Sequence, residues 1–182
     1  MGNWLGTVTG KKIDLLNPDP DQICLEDIAL ALDKMPRFNG HTTSNWSVLD
    51  HSLAVASLVT PEYKLQALLH DATEAYICDI PSPLKALLGE GYKSIERRLA
   101  KAIGIHFGVE LVDLPMAIKR ADAIMLMTEH DAFQPISVKW ETDFSAGLRV
   151  PDVLFNHQFQ TSMKERFIRE VNHWQAIKED GW

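Results

Sequence analysis

The chain has 182 residues and only two cysteines, Cys24 and Cys78. Two thiols at that spacing make neither a zinc-finger pattern nor a disulfide framework, so both are expected to be free in a reducing compartment. A basic excess is missing too. Lys and Arg number 18 against 25 Asp and Glu, a formal charge of −7. That balance argues against a nucleic-acid binder, whose affinity for phosphate backbones comes from clustered Lys and Arg. No apolar run approaches the roughly 20 residues of a membrane span, so no membrane partner is expected. The opening MGNWLGTVTG has no basic region followed by an apolar stretch, and no secretory signal is read there. Gly6 stands where a myristoylation signal wants Ser or Thr. Internal repeats and low-complexity tracts are absent. The expected location is cytoplasmic.

What is present is the composition of an ordinary globular domain, 46% hydrophobic and 24% charged. The length suits a single domain, residues 1–182, with a well-buried core. Residues 4–15 alternate around Thr9-Gly10 and predict a short β-hairpin. Asn17 to Asp21 is a proline-bearing loop. A helix is expected over Leu25–Lys34, with Glu26 and Asp27 in its first turn and Pro36 ending it. Arg37 to Trp46, RFNGHTTSNW, has no helical period and reads as a loop. Ser47 to Val59 predicts a helix that is apolar nearly all round and therefore central. Thr60-Pro61 reads as a cap and first position of the next helix. After a break at Asp79 to Pro83, a short helix ends at Gly89 and an amphipathic one follows over 92–103. Asp113-Leu114-Pro115 opens a helix reaching Phe133. Residues 134–156 read as a loop or a strand pair, and a last helix covers Gln158 to Lys178. With six to seven helices and one short hairpin, the class is all-α.

The stretch Leu65 to Pro83, LQALLHDATEAYICDIPSP, carries the chemistry. On a wheel of about 100° per residue, Leu65, Leu68, Leu69, Ala72, Ala75 and Tyr76 share an apolar face. His70, Asp71 and Glu74 fall opposite. Taken alone, that strip reads equally as the solvated side of an amphipathic helix. His51 lies among apolar residues of its helix, where a core histidine bonded to a carbonyl is the plainest reading. Asp122 shares a face with Ile118, Met125 and Leu126 that should be buried. A buried carboxylate must be paired, protonated or bound to a cation. Two histidines and two aspartates from three helices fit one divalent transition metal, Co, Mn, Zn, Ni or Fe, rather than Ca. Four protein ligands on an octahedral ion leave two positions for water or substrate, as a catalytic site requires.

With His51 in SVLDHSLAVA, His70-Asp71 in HDATEAYICDIPSPLK and Asp122 in IKRADAIML, the chain resembles the HD-domain phosphohydrolases. The likeness runs from the loop before His51 to at least Asp122. It is nearest to short bacterial 5′-deoxynucleotidases and to small phage enzymes that remove deoxyadenosine triphosphate. The resemblance implies an all-helical HD-domain bundle that self-associates as a dimer or larger ring. It implies His51, His70, Asp71 and Asp122 as metal ligands, and Glu74 and Asp79 as catalytic groups that handle the attacking water and the leaving oxygen. Arg37 and Lys85 are expected at phosphate. Phe38, His41 and Trp46 are expected at the base and sugar, with Phe38 and Trp46 reading equally well as a cap on the core. The bacterial monophosphatases of this family carry Trp where Phe38 stands.

The expected function is therefore hydrolysis of a deoxynucleotide, deoxyadenosine triphosphate first, by attack of a metal-activated water, with Mg accompanying the substrate triphosphate. The alternatives are a 5′-deoxynucleotidase acting on monophosphates, and a metal-bound helical sensor that binds nucleotides without hydrolysing them.

Overall fold

The computed structural model describes residues 2–134, 149–150 and 162–181. Strands β1 (Trp4–Gly6) and β2 (Lys12–Asp14) pair antiparallel, Leu5 opposite Ile13. Gly10, at φ +83°, supplies the left-handed residue of the connecting turn. The hairpin is fastened to the helices by Thr9. Its N–H donates to Asp27 Oδ1 at 3.0 Å, and its hydroxyl donates to Asp27 Oδ2.

Helix α1 (Leu25–Lys34) buries Ile28, Ala29 and Leu32 completely. Glu26 and Asp27 at its start and Lys34 at its end suit the helix dipole. A single 3-10 turn, Arg37–Gly40, follows Pro36, with Phe38 and Asn39 both at φ +53°. Helix α2 (Val48–Ser57) opens with a capping box: Ser47 Oγ accepts from the Asp50 N–H while Asp50 accepts from the Ser47 N–H. Eight of its ten residues are buried, which is the central position its all-round apolar sequence predicts. It packs against α1, α3 (Lys64–Leu69), α6 (Met116–Phe133) and α7 (Met163–Glu179).

The long helix expected through His70 and Glu74 is instead two pieces, α3 and the single turn α4 (Glu74–Ile77). Between them the hydrogen bonds tighten to three-residue spans. Ala72 donates to Leu69, Glu74 to Asp71 and Tyr76 to Thr73, at 2.9–3.0 Å. Such 3-10 winding turns about 120° per residue rather than 100°, so the wheel slips across this stretch. Glu74 consequently turns inward, only 4% exposed, rather than lying on a solvated strip. Thr60-Pro61 opens a 3-10 turn, Pro61–Tyr63, without a side-chain cap.

Helix α5 (Ser82–Phe107) is bent at Gly89, whose φ +62°, ψ −146° is inaccessible to residues with a Cβ. Pro115 caps α6 as expected. The inner stripe of α7 centres on Phe167 and Val171, both fully buried. The expected loop or strand pair over 134–156 lies outside the described residues except at 134, 149 and 150, and so does the expected start of the last helix at 158–161. One contiguous buried cluster runs from Ile13 of β2 to Val171 of α7. No helix among the described residues is long and apolar enough to cross a membrane.

Candidate metal centre

Three elements deliver the site. His51 comes from the middle of α2, His70 and Asp71 from the tight turn after α3, and Asp122 from α6. His51, His70 and Asp71 each offer a donor atom within 4.8 Å of the others, so the three form a group that can hold a metal ion. His70 Nε2 lies 3.1 Å from Asp71 Oδ2, and His51 Nε2 lies 3.7 Å from the same oxygen. Asp122 Oδ1 is 3.1 Å from His51 Nε2.

Each histidine is held by its other nitrogen. His70 Nδ1 is 2.8 Å from the Ala67 carbonyl oxygen, which can only accept, so Nδ1 carries the proton. His51 Nδ1 donates to Glu129 Oε1 at 2.7 Å. Both rings therefore present Nε2 to the same place, the arrangement by which second-layer acceptors orient metal-binding imidazoles. His70 Nε2 is buried and has no hydrogen-bond partner among the described residues. An orphaned acceptor of this kind, facing a carboxylate, fits a cation between them.

The electrostatics agree. Five carboxylates, Asp71, Glu74, Asp79, Asp122 and Glu129, meet two cations, Arg37 and Lys85. Burial and the Arg37 charge oppose protonation of His51, yet Glu129 and Asp122 outweigh them and push its pKa up to about 10. Burial likewise opposes a charge on His70, and Asp71 overcomes it, raising that pKa. Burial alone would raise Asp71, but His70, His51 and Arg37 hold it below the usual carboxylate range. A pocket that pulls protons onto its imidazoles this strongly attracts a divalent cation by the same field.

Glu129 is the residue that sequence reasoning missed. Its side chain is fully buried. Oε1 accepts from His51 and, at 2.8 Å, from Trp46 Nε1, while Oε2 accepts from Arg37 Nε and Nη2 at 3.4 Å each. A signal existed: Glu129 stands seven residues, two helical turns, beyond Asp122 on the stripe that buries Ile118 and Met125. A charged residue on that stripe needs partners.

Glu74 and Asp79 both border the centre. Glu74 Oε1 is 3.5 Å from Lys85 Nζ, whereas Oε2 is buried without a hydrogen-bond partner among the described residues. Burial, and then the charges of Asp71 and Asp79, raise its pKa well above the ordinary value. Asp79 accepts from Arg37 Nη1 at 3.2 Å. Asp122, expected on a buried face, has a side chain 44% exposed, although Ile118 and Met125 on either side of it along α6 are fully buried.

The expected substrate contacts divide. Lys85 reaches the centre through Glu74 and is anchored by Glu96 at 3.1 Å. Arg37, expected at phosphate, is buried and spans Glu129 and Asp79. Trp46, expected to offer a stacking face, is 6% exposed, its ring 5.2 Å from Phe133 and its N–H on Glu129. This is the core-capping alternative. Phe38 is half-buried beside the Arg37 guanidinium. His41 is exposed, and its backbone contacts run to Phe38 and Gln134 rather than to the histidines.

The chain matches no protein-family model. It is 41% identical over 127 residues to an uncharacterized protein of Rhodobacter capsulatus, an alignment covering 65% of this chain and 64% of that protein, just under two thirds of its length. Against the uncharacterized protein YfdR of Escherichia coli, identity is 39% over 127 residues, covering 70% of each chain. With identity at this level over more than two thirds of YfdR, the chain belongs to the protein family that includes YfdR.

Proposed function

We propose that the protein is an HD-type, metal-dependent phosphohydrolase acting on deoxynucleotides, with deoxyadenosine triphosphate as its preferred substrate. One observation carries the reading. Two buried histidines, each anchored through Nδ1–H, turn Nε2 toward the carboxylate of Asp71. A divalent cation held by His51, His70 and Asp71, with Asp122 as a fourth donor, supplies Lewis acidity toward water and a phosphoryl oxygen.

The chain's own groups do the rest. Glu74 Oε2, buried and unpartnered beside Asp71, takes the proton from the attacking water. Lys85 brings the positive charge nearest to Glu74 and meets the phosphate chain. Asp79, held by Arg37, receives or returns a proton at the leaving oxygen. Glu129 keeps His51 in one tautomer and one orientation.

Phosphorus NMR of a panel of deoxynucleoside mono-, di- and triphosphates, with Mn or Co added, tests this. Release of tripolyphosphate from the adenine triphosphate is the expected result. Turnover of monophosphates alone would make the enzyme a 5′-deoxynucleotidase. Nucleotide binding without turnover would make it a sensor and end the catalytic reading.

A further inference from the structure

Among the described residues, three buried polar atoms without a hydrogen-bond partner belong to the centre or to the groups around Lys85: His70 Nε2, Glu74 Oε2 and Tyr92 Oη. The first two belong to residues already assigned. Tyr92 does not, and it stands on α5, beyond the Gly89 bend.

The bend is what brings Tyr92 into play. In a straight helix, at about 1.5 Å per residue, Lys85 and Glu96 would be roughly 16 Å apart along the axis. Here Lys85 Nζ lies 3.1 Å from Glu96 Oε1, because the chain reverses at Gly89. The same reversal sets the Lys85 ammonium 5.7 Å from the centroid of the Tyr92 ring. From there Lys85 reaches Glu74 Oε1 at 3.5 Å. An ammonium has three N–H donors, and two of them point at Glu96 and Glu74. The ammonium also lies over the Tyr92 ring, so the group of this cluster left without a partner among the described residues, and open to a ligand, is the phenol O–H. Burial, the largest influence on the phenol, pushes its pKa up to about 12, so it stays a donor at neutral pH.

We infer that Tyr92 is a substrate-contacting residue whose phenol O–H donates to a phosphoryl oxygen held against Lys85. This rests on the phosphohydrolase reading above and extends it to a residue outside the metal centre. A buried hydroxyl with no partner destabilises the protein that carries it. Its removal therefore has opposite effects on the free protein and on the complex.

The test is Tyr92→Phe, which removes one oxygen and keeps the ring. Thermal unfolding without ligand, and calorimetric titration with inorganic phosphate and with tripolyphosphate in the presence of Mn, are measured on both proteins. The expected result is a higher melting temperature for the variant and about tenfold weaker binding of phosphate or tripolyphosphate, the loss of one hydrogen bond. Equal affinity in the two proteins would overturn the inference and leave the phosphohydrolase reading standing. A lower melting temperature would also overturn it, since the phenol would then have a partner within the fold. Failure of the unsubstituted protein to bind either anion would instead remove the phosphohydrolase reading, and this inference with it.

Discussion

His51 and Glu129 stand 78 residues apart in the chain and 2.7 Å apart in space, both side chains fully buried. This bond determines what His51 can do. With Nδ1–H committed to a carboxylate held ionised by His51 and Arg37, Nε2 is the only ring atom left to face Asp71 and Asp122. Arg37 then extends the connection to Asp79. Candidate metal ligand, buried acid, guanidinium and candidate proton carrier thus form one chain of contacts.

Replacing Glu129 by Gln keeps an acceptor for His51 but removes the charge that Arg37 faces. Affinity for Mn or Co is expected to fall about 10- to 100-fold, the usual consequence of losing a partner behind a metal ligand. Stability should fall on the order of 3 kcal/mol, because a buried ion pair is broken on one side. Calorimetric titration and thermal unfolding measure the two effects separately. Unchanged metal affinity in a folded variant would show that Glu129 is only a structural group.

Glu74→Gln should separate binding from chemistry. The side chain holds no position among the three grouped ligands, so metal content is expected to stay near that of the unsubstituted protein. Turnover should drop about 10²- to 10⁴-fold, the range of a general acid–base group. The orphaned Oε2 becomes neutral in the variant, which relieves repulsion from Asp71 and Asp79, so the melting temperature should not fall. A variant with full activity would move proton transfer elsewhere.

Asp27 gives a pH prediction away from the centre. Burial raises its pKa, but hydrogen bonds from Thr7 and Thr9 outweigh this and depress it below the unfolded value. A depressed carboxylate contributes stability above the unfolded pKa, near about 3.9, and that contribution disappears as pH falls through the folded value. Asp27→Asn should therefore cost about 1–2 kcal/mol at neutral pH. The gap between variant and parent should close below pH about 4, as followed by denaturant unfolding across the acid range. A gap that persists at low pH would show that packing, and not the charged clamp on the hairpin, holds the two together.

The parts of the fold that could be read in advance are those where a local signal agrees with the tertiary outcome. Thr9-Gly10 made the hairpin turn, Leu25–Lys34 formed the helix its period predicts, and Gly89 broke α5. His51, His70 and Asp71 came together as expected because polar residues on apolar helices need partners. Three features resisted. A wheel cannot foresee the switch from four-residue to three-residue hydrogen bonds after Leu69, so periodicity left a solvated strip open for Glu74, which lies within. Asp122 shares a stripe with the fully buried Ile118 and Met125 yet keeps a side chain 44% exposed, and periodicity assigns one burial to a whole stripe. Trp46 and Arg37 were read from a loop without a period, although the buried carboxylate of Glu129 draws both inward. The meeting of Lys85 with Tyr92 depends on the direction of the Gly89 bend, which the identity of the residue alone does not specify.

The most direct test of the metal centre is calorimetric titration of the apoprotein with Mn or Co, run in parallel on the unsubstituted chain and on Asp71→Ala. One ion is expected to bind per unsubstituted chain, with a melting temperature that rises as the metal is added. Both effects should be lost in the variant, which removes the carboxylate that both imidazoles face. An unsubstituted chain that binds no divalent ion, or a variant that binds it equally well, would rule out a metal centre at these residues.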